Sequence, residues 1–393
     1  MKVGILTHYY NSVNYGGNLQ AYALCKAVEN LGHEAQQVQV VYTDAYKNLL
    51  NPNAERKRKA IKLAKKPAQC LAWTVLPGYR AKCRRRKAAA NQLQQAFHHF
   101  NQELTPHSQK LYTKHTIKKA LKEYDAFITG SDQVWNPIWY FEPFFLTFAP
   151  ASVPKMAYAA SIAQETLPPA VADRYRANLR DFIGVSVREE KAQQLLAPTP
   201  ASYVLDPTFL LSKEDWLQVA SPRLQEKPYL FCYFLGDDLC HRQAAAQYAK
   251  AHDLTLVTIP NAAGQHHVND AGFGDVQLAE PSPEDFLGLI AHADQVFTDS
   301  FHASVFSLIF QRQFAVFPRL GHEKMSQRLY SLTQLYDIPE RFCDTVEKIS
   351  AAHIDTLLPI DYTQSFPKAE QLKAESVRYL EENLDKAKKM LSL

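Results

Sequence analysis

Short apolar segments alternate with helical patterns along most of this chain, and this alternation restricts its fold more than any other feature. Apolar segments of strand length begin near residues 2, 34, 124, 155, 182, 229, 254, 295 and 314. Patterns of helical period separate most of them. Strands that alternate with helices form parallel sheets covered by helices on both faces. The sequence therefore predicts an α/β fold with parallel sheets.

The chain is too long for one ordinary core. Its 393 residues favour two domains. We place the boundary at Asp206, because Pro207 ends the preceding strand. The prediction comprises a Rossmann-like domain over 1–205 with a basic helical insertion at about 52–100, a second Rossmann-like domain over 206–365, and a C-terminal helix over 366–393 that packs back on the body.

The insertion is strongly basic. The formal net charge of the whole chain is only +4, so its overall charge does not indicate nucleic-acid binding. It contains the runs Arg56-Lys-Arg-Lys59 and Arg84-Arg-Arg-Lys87. Such runs form solvated helix faces or meet an anionic membrane surface or a phosphorylated substrate. Pro77-Gly78 separates two predicted helices, the second over residues 85–100.

Cysteine usage and the N-terminus favour a cytoplasmic protein. The six cysteines are scattered without CxxC spacing, which indicates reduced thiols. The N-terminal apolar run is too short for a signal peptide, and no apolar run approaches the roughly 20 residues that span a bilayer. The histidine pairs lack companion acids or cysteines, so we expect no metal site.

A strand-to-helix turn in the second half is the strongest candidate for a functional site. Residues 295–298 predict a buried strand and residues 303–310 a buried helix, with Asp299, Ser300, Phe301 and His302 between them. Open α/β sheets bind ligands at this edge. Ser300 can cap the helix, whose free amides suit an anion. Alternatively, Asp299 and Ser300 only cap the helix, and His302 is structural.

The first strand also ends in a polar turn, Asn14-Tyr-Gly-Gly-Asn18. Gly16 and Gly17 let the backbone approach a ligand closely. Asn14 or Asn18 can cap the following helix or contact hydroxyls. The spacing is not GxGxxG, so we do not infer NAD. A plain turn between strand and helix is the alternative.

A third polar loop, residues 130–137, follows the strand near residue 124. Asp132 and Gln133 suit sugar hydroxyls, and the indole of Trp135 suits the face of a pyranose. Alternatively, Asp132 caps a helix and Trp135 anchors the core.

Arg188 follows a further strand and can present its guanidinium to phosphate or carboxylate. The alternative is an ion pair with Glu189, Glu190 or Asp206.

Taken together in this order, five segments resemble the polysaccharide pyruvyl transferase family over roughly residues 1–338. They are Asn14-Tyr-Gly-Gly-Asn-Leu-Gln-Ala-Tyr-Ala-Leu24, Gly130-Ser-Asp-Gln-Val-Trp-Asn136, Ser186-Val-Arg-Glu-Glu190, Val204-Leu-Asp-Pro-Thr208 and Asp299-Ser-Phe-His-Ala-Ser304. The resemblance implies a glycosyltransferase-B-like fold, two Rossmann-like domains whose parallel sheets face a cleft that holds the donor.

The resemblance also implies a reaction. Pyruvate would move from phosphoenolpyruvate, a co-substrate, to sugar hydroxyls of a cell-surface or exopolysaccharide glycan or its lipid-linked precursor, forming a ketal without a further cofactor. In the family, an Arg after a strand and a His in the strand-to-helix turn contact the donor, and these match Arg188 and His302. The family Arg two residues before that His is Ser300 here, so we expect Lys324 or Arg328 to supply the cation.

These expectations give each candidate a role. His302 is the predicted acid and base, with Asp132 as the second catalytic candidate. The predicted donor-binding residues are Arg188, Ser300, Phe301, Lys324 and Arg328. The predicted acceptor-binding residues are Asn14, Gly16, Gly17, Asn18, Gln133 and Trp135.

Two other functions fit the same pattern. One is a glycosyltransferase that uses a nucleotide-sugar donor, and the other is a non-catalytic glycan-binding protein. In each case the basic insertion suggests peripheral contact with the inner face of the membrane.

Overall fold

The computed structural model describes residues 1–42, 45–53, 77–260, 267–319 and 323–392. The chain forms two compact units. The first consists of Met1–Asn11, Val28–Tyr203 and Leu380–Leu393, and the second of Ser12–Ala27 and Val204–Tyr379. Compared with the predicted division at residue 206, residues 12–27 belong to the second unit and residues 380–393 to the first.

The first unit contains a parallel four-stranded sheet and two short strand pairs. Its strands are β1 (Lys2–Leu6), β2 (Glu34–Gln37), β3 (Val40–Val41), β4 (Tyr112–Thr113), β5 (Ala126–Thr129), β6 (Lys155–Ala157), β7 (Ser186–Val187) and β8 (Ser202–Tyr203). The sheet order is β2-β1-β5-β6, and the pairs are β3-β4 and β7-β8. Because β1 and β5 are central in a parallel sheet, nearly all their residues are buried.

The helices of the first half include one that belongs to both units. They are α1 (Tyr15–Asn30), α2 (Pro77–Glu103), α3 (Pro169–Leu179) and α4 (Glu190–Leu196). Residues 15–27 of α1 lie in the second unit. The polar loop after β5 continues into two single-turn 3-10 helices, Pro137–Trp139 and Glu142–Phe145.

The second unit contains a parallel five-stranded sheet of order β11-β10-β9-β12-β13. Its strands are β9 (Tyr229–Tyr233), β10 (Thr255–Thr258), β11 (Val276–Gln277), β12 (Gln295–Thr298) and β13 (Gln313–Val316). The helices from residue 213 onward are α5 (Lys213–Val219), α6 (Leu239–Ala251), α7 (Pro283–Ala291), α8 (Phe301–Ile309), α9 (Glu323–Leu335), α10 (Ala351–Ile354) and α11 (Pro367–Met390), of which α11 continues into the first unit at residue 380.

The local sequence explains where helix α7 of the second unit begins. At the start of α7, the Ser282 side chain accepts from the Asp285 amide and the Asp285 side chain accepts from the Ser282 amide, a capping box. Pro283 occupies the first helical position, where its missing N–H costs nothing. These residues fix the start of α7 at Pro283.

Several predicted elements differ from the structure: the strand predicted near residue 182 consists only of Ser186–Val187, and the helix predicted over residues 303–310 runs over Phe301–Ile309. The single strand predicted over residues 34–42 is divided into β2 and β3, because β2 pairs with β1 whereas β3 pairs with β4. The helix predicted over residues 85–100 begins at Pro77, which a helix accepts in its first turn, and ends at Glu103. The predicted helix before it lies outside the described residues.

No helix in the part of the chain that the structure describes combines the length and the apolar character needed to cross a membrane.

Candidate active site

Each sheet has one position where its strand order reverses. In the first unit the chain leaves β1 toward β2 on one side, and β5 lies on the other. In the second unit β10 lies on one side of β9 and β12 on the other. Ligands of open α/β sheets bind at the carboxyl ends of the strands at such switch points. The loop after β5, with Asp132, and the turn after β12, with His302, each lie at the switch point of their own sheet.

Asp299 and Ser300 build the turn between β12 and α8. The Asp299 carboxylate accepts hydrogen bonds from the amides of Leu235 (2.6 Å) and Gly236 (2.7 Å), so it joins the ends of β9 and β12. Burial raises the pKa of this carboxyl, and Arg319 and the two amides oppose the shift. The Ser300 hydroxyl accepts from the Ala303 amide and caps α8. Ser300 therefore has the capping role that the sequence gave as the alternative, whereas Asp299 anchors the end of β9, a role that the sequence did not suggest.

His302 is the second residue of α8, and only 8% of its surface is exposed. Its imidazole lies directly against Gly16. A Cβ added to Gly16 would lie 1.9 Å from Nδ1 of His302, far inside van der Waals contact. Gly16 is therefore required to leave space for the imidazole. The close approach predicted at this glycine is made by a side chain of the protein.

Asp206 is the carboxylate that faces His302. Its Oδ2 lies 3.6 Å from Nε2 of His302. Its Oδ1 accepts from the amide (3.1 Å) and the hydroxyl (2.8 Å) of Thr208, which fixes the carboxylate in place. A fixed carboxylate beside an imidazole orients the ring and is a partner for its protonated form. From its sequence context, Asp206 was expected only as a partner of Arg188, and its pairing with His302 was not foreseen.

The start of α1 is anchored in the second unit by Tyr15. Its hydroxyl donates to the carbonyl oxygen of Pro281 at 2.7 Å. Its ring stacks on Phe286 with a centroid separation of 4.4 Å. Burial raises the pKa of the Tyr15 hydroxyl, which stays a neutral donor. This anchoring holds Gly16 in position beside His302.

The two asparagines of this turn organise its backbone. Asn14 Oδ1 accepts from the Gly17 amide at 3.3 Å. The buried Asn18 side chain donates to the carbonyl oxygens of Ser12 (3.1 Å) and Asn14 (2.8 Å). The exposed Asn14 still presents polar atoms to solvent. Acceptor binding by Asn14, Gly17 and Asn18 stays a prediction.

Two guanidinium groups lie around the α8 turn. Arg319 follows β13, and its Nε lies 3.4 Å from Oδ2 of Asp299 while an NH group donates to the Asp299 carbonyl oxygen. Arg328 on α9 places its guanidinium 5.6 Å from the centroid of the Phe301 ring. The sequence named Arg328 and missed Arg319. Lys324 also lies on α9, and its side chain is outside the described part of the structure.

In the first unit the structure brings Asp132 and Arg188 together. The guanidinium of Arg188 donates to Oδ1 of Asp132 at 3.5 Å, and its Nε lies 3.8 Å from Oε1 of Glu189. Both members of the Asp132–Arg188 pair are buried. Asp132 has a φ of 67°, in the left-handed region that few residues other than glycine, Asn and Asp adopt readily. The alternative given for Arg188 in the sequence was an ion pair with Glu189, Glu190 or Asp206. The structure contains the pair with Glu189.

The assignment of Trp135 to acceptor binding is wrong in this structure. Its indole is fully buried, stacks on Phe145 and donates through Nε1 to the Phe144 carbonyl oxygen at 3.1 Å. It is the core anchor given as the alternative, and it has no face left for a sugar. Gln133 is half-buried, and its Oε1 accepts from the Asn136 side chain.

No group of three or more potential metal ligands lies together within the residues that the structure describes. The arrangement in the second unit is therefore an imidazole–carboxylate pair beside a helix N-terminus and two guanidinium groups. Such a set can exchange a proton and bind an anion.

Two parallel-sheet units of this kind, each with polar residues at its sheet edge, are typical of the glycosyltransferase-B-like fold class. Residues 14–320 match the sequence model of the polysaccharide pyruvyl transferase family. The chain therefore belongs to the polysaccharide pyruvyl transferase family, as its five segments predicted. A search of curated protein sequences found no match.

The fold is similar to that of a solved structure with a TM-score above 0.5. The chain is similar to the UDP-GlcNAc 2-epimerase of Methanocaldococcus jannaschii with a TM-score of 0.52 and 10% identity, over 97% of this chain and 99% of the other. The chain is also similar to the UDP-N-acetylglucosamine 2-epimerase of Rickettsia bellii, with a TM-score of 0.49 and 10% identity over 99% of this chain and 98% of the other. A third similar structure is the glycosyltransferase SnogD of Streptomyces nogalater, with a TM-score of 0.42 and 12% identity over 100% of this chain and 99% of the other. At these identities the likeness concerns the fold alone.

Proposed function

We propose that this protein transfers pyruvate from phosphoenolpyruvate to two hydroxyls of a glycan, forming a cyclic ketal and releasing inorganic phosphate. The acceptor is a cell-surface or exopolysaccharide glycan or its lipid-linked precursor. The observation that carries the proposal is the imidazole of His302, held between Gly16 and the carboxylate of Asp206 at the N-terminus of α8. The family to which the chain belongs supports it.

The chemistry requires one proton transfer to carbon and two new C–O bonds. His302 donates a proton to the methylene carbon of phosphoenolpyruvate, which becomes the methyl group of the ketal. One sugar hydroxyl bonds to the adjacent carbon, and its proton returns to the imidazole. The second hydroxyl then displaces phosphate from the same carbon, and phosphate leaves with the second proton. Asp206 stabilises the imidazolium in each half of this cycle.

The donor carries a carboxylate and a phosphate, so its site must supply positive charge. In the second unit we assign this role to the first amides of α8, to Arg328 beside Phe301, and to Arg319 behind Asp299. Ser300 occupies the position of the family Arg. Its side chain caps α8 and contributes no charge. Lys324 stays a further candidate.

In the first unit, the Asp132–Arg188 pair offers both charges at one sheet edge. We assign Arg188 to the anionic groups of the donor, and Asp132 to binding an acceptor hydroxyl through a hydrogen bond to its carboxylate.

The test is phosphate release from phosphoenolpyruvate by the purified protein, with and without acceptors that contain galactose, mannose or N-acetylhexosamine. Release that depends on one acceptor, with a matching mass increase of the glycan, is the expected result. His302→Ala is expected to abolish release. His252→Ala is the matched control, because His252 also pairs with a carboxylate of the second unit, Asp355, but is exposed. Turnover retained by His302→Ala would overturn the catalytic assignment.

The two alternative functions give different results. A glycosyltransferase would be stabilised against heat by a nucleotide sugar and would not release phosphate from phosphoenolpyruvate. A non-catalytic glycan-binding protein would be stabilised by a glycan without forming a product.

A further inference from the structure

An aromatic cluster lies at the switch point of the first sheet and has no role in the reaction described above. His8 follows β1 by two residues, and Asp132 follows β5, the neighbour of β1 across the switch point. The two residues therefore follow adjacent strands of the same parallel sheet, and the charge of Asp132 raises the pKa of His8. This is the edge at which a parallel sheet binds ligands.

The cluster extends from the core toward solvent. The imidazole of His8 contacts the buried rings of Tyr42 (5.3 Å between centroids) and Phe144 (4.6 Å). It also contacts Tyr46 (5.6 Å), and both His8 and Tyr46 are only half-buried. Tyr46 in turn meets the ring of Trp139 edge-on at 5.9 Å, and 40% of Trp139 is exposed. The outer members therefore form an aromatic surface open to solvent.

Backbone hydrogen bonds hold these rings in a fixed arrangement. Lys47, the neighbour of Tyr46, exchanges both backbone hydrogen bonds with Tyr140, the neighbour of Trp139 (2.9 and 3.0 Å). The Leu49 amide also donates to the Pro137 carbonyl oxygen at 2.8 Å. A surface that is ordered before binding loses less conformational entropy when a ligand binds.

The polar atoms of the cluster are neutral. Burial lowers the pKa of His8 to about 4, and the nearby Asp132 opposes this shift only in part. The imidazole is therefore uncharged near neutral pH and offers one donor and one acceptor. Burial also raises the pKa of the Tyr46 hydroxyl, which lies 3.4 Å from Nε2 of His8. Neutral donors and acceptors beside exposed rings suit a sugar better than an anion.

We propose that His8, Tyr46 and Trp139 form a binding subsite for a neutral pyranose ring of the acceptor glycan. The exposed indole of Trp139 stacks on the C–H face of the sugar, and His8 and Tyr46 hydrogen-bond its hydroxyls. The subsite replaces Trp135, which is buried, as the aromatic platform. Its description as an acceptor subsite rests on the proposed function, whereas glycan binding itself does not.

The test is binding of the labelled full-length protein to a glycan array without phosphoenolpyruvate. We expect the wild type to bind at least one glycan, and Trp139→Ala to weaken its affinity on the order of ten-fold through loss of the stacked ring. Tyr46→Phe, which keeps the ring, should lose only the contribution of the hydroxyl. Tyr330→Ala is the matched control, because Tyr330 is 39% exposed and lies in the second unit.

Unchanged affinity of Trp139→Ala for a glycan that the wild type binds would overturn the proposal, and so would a wild type that binds no glycan. Melting temperatures of all variants check that they are folded. The array contains no donor, so its result is independent of pyruvyl transfer. Glycan binding through Trp139 without phosphate release from phosphoenolpyruvate would refute the proposed function and leave the subsite intact.

Discussion

Replacing Gly16 with alanine tests how closely activity depends on the position of the His302 imidazole. The added Cβ would lie 1.9 Å from Nδ1 and 2.4 Å from Cε1 of His302, and Cβ contacts under 3.0 Å essentially never occur. The imidazole must therefore move by about 1 Å or more, away from its position beside Asp206. A misplacement of this size costs roughly 100-fold in rate, or about 2.7 kcal/mol of transition-state stabilisation.

The same substitution should have a small effect on folding. Gly16 is the second residue of α1, and the nearest atoms that the added Cβ would meet belong to the end of one side chain, which can move. The matched control is Gly288→Ala in α7, where the added Cβ would lie 2.5 Å from the carbonyl oxygen of Ser221. That clash involves backbone, so Gly288→Ala should lower the melting temperature and leave kcat of the folded fraction near that of the wild type.

The assay is steady-state phosphate release, measured for Gly16→Ala, His302→Ala and the double variant. Once the imidazole is absent, the alanine at position 16 has nothing to displace, so the double variant should be no slower than His302→Ala. Wild-type kcat in Gly16→Ala, or a full additional loss in the double variant, would refute the assignment of His302.

Three further predictions follow from the structure. Asp206→Asn keeps the shape of the side chain but removes its charge, so kcat should fall on the order of 100-fold at unchanged KM for phosphoenolpyruvate; an unchanged kcat would show that the pair has no catalytic role. Burial lowers the pKa of His241 from 6.5 to about 4, so the unfolded state binds the proton first and stability is lost as pH falls through that interval. His241 alone should contribute about 2–3 kcal/mol to the loss of stability to urea between pH 7 and pH 4.5, and His241→Phe should remove that contribution; the same pH dependence in the variant would contradict it. Arg84 and Lys87 are exposed on α2, so replacing both with glutamine should weaken sedimentation with anionic liposomes, and a wild type that does not sediment would end the membrane hypothesis.

Much of the fold was predictable because its signals are local. The strand Gln295–Thr298 and the cap at Ser300 were read from adjacent residues, and both have the predicted bounds. Regular alternation of strands and helices then gave the parallel sheets, and the fold class is confirmed. Local signals also placed His302 in the first turn of a buried helix.

The pairing of His302 with Asp206 was not predictable in the same way. The two residues are far apart in sequence. Asp206 also has a local role as the N-cap of the 3-10 helix Pro207–Leu210, where its side chain accepts from the Thr208 amide. Only the tertiary structure shows that its second oxygen faces an imidazole. The same holds for Gly16, whose segment packs in the second unit although β1, just before it, belongs to the first.

Trp135 shows the opposite error. An indole between polar residues in a loop after a strand suggested a ligand platform. The loop instead folds over the core through its 3-10 turns, and the Phe144 carbonyl oxygen satisfies the indole N–H inside the protein. The sequence alone could not show whether the Trp135 indole is buried or exposed. The exposed indole of this loop is that of Trp139, four residues later.

The most direct test of the account follows a carbon label from donor to glycan. Wild-type protein and His302→Ala are incubated with acceptor glycan and phosphoenolpyruvate labelled with carbon-13 at the carbon that bears the phosphate, and the glycan is examined by NMR. The account predicts a labelled ketal carbon on the glycan and one phosphate released per ketal with the wild type, and neither with the variant. A glycan that stays unlabelled with folded wild-type protein, or is labelled equally by His302→Ala, would contradict it.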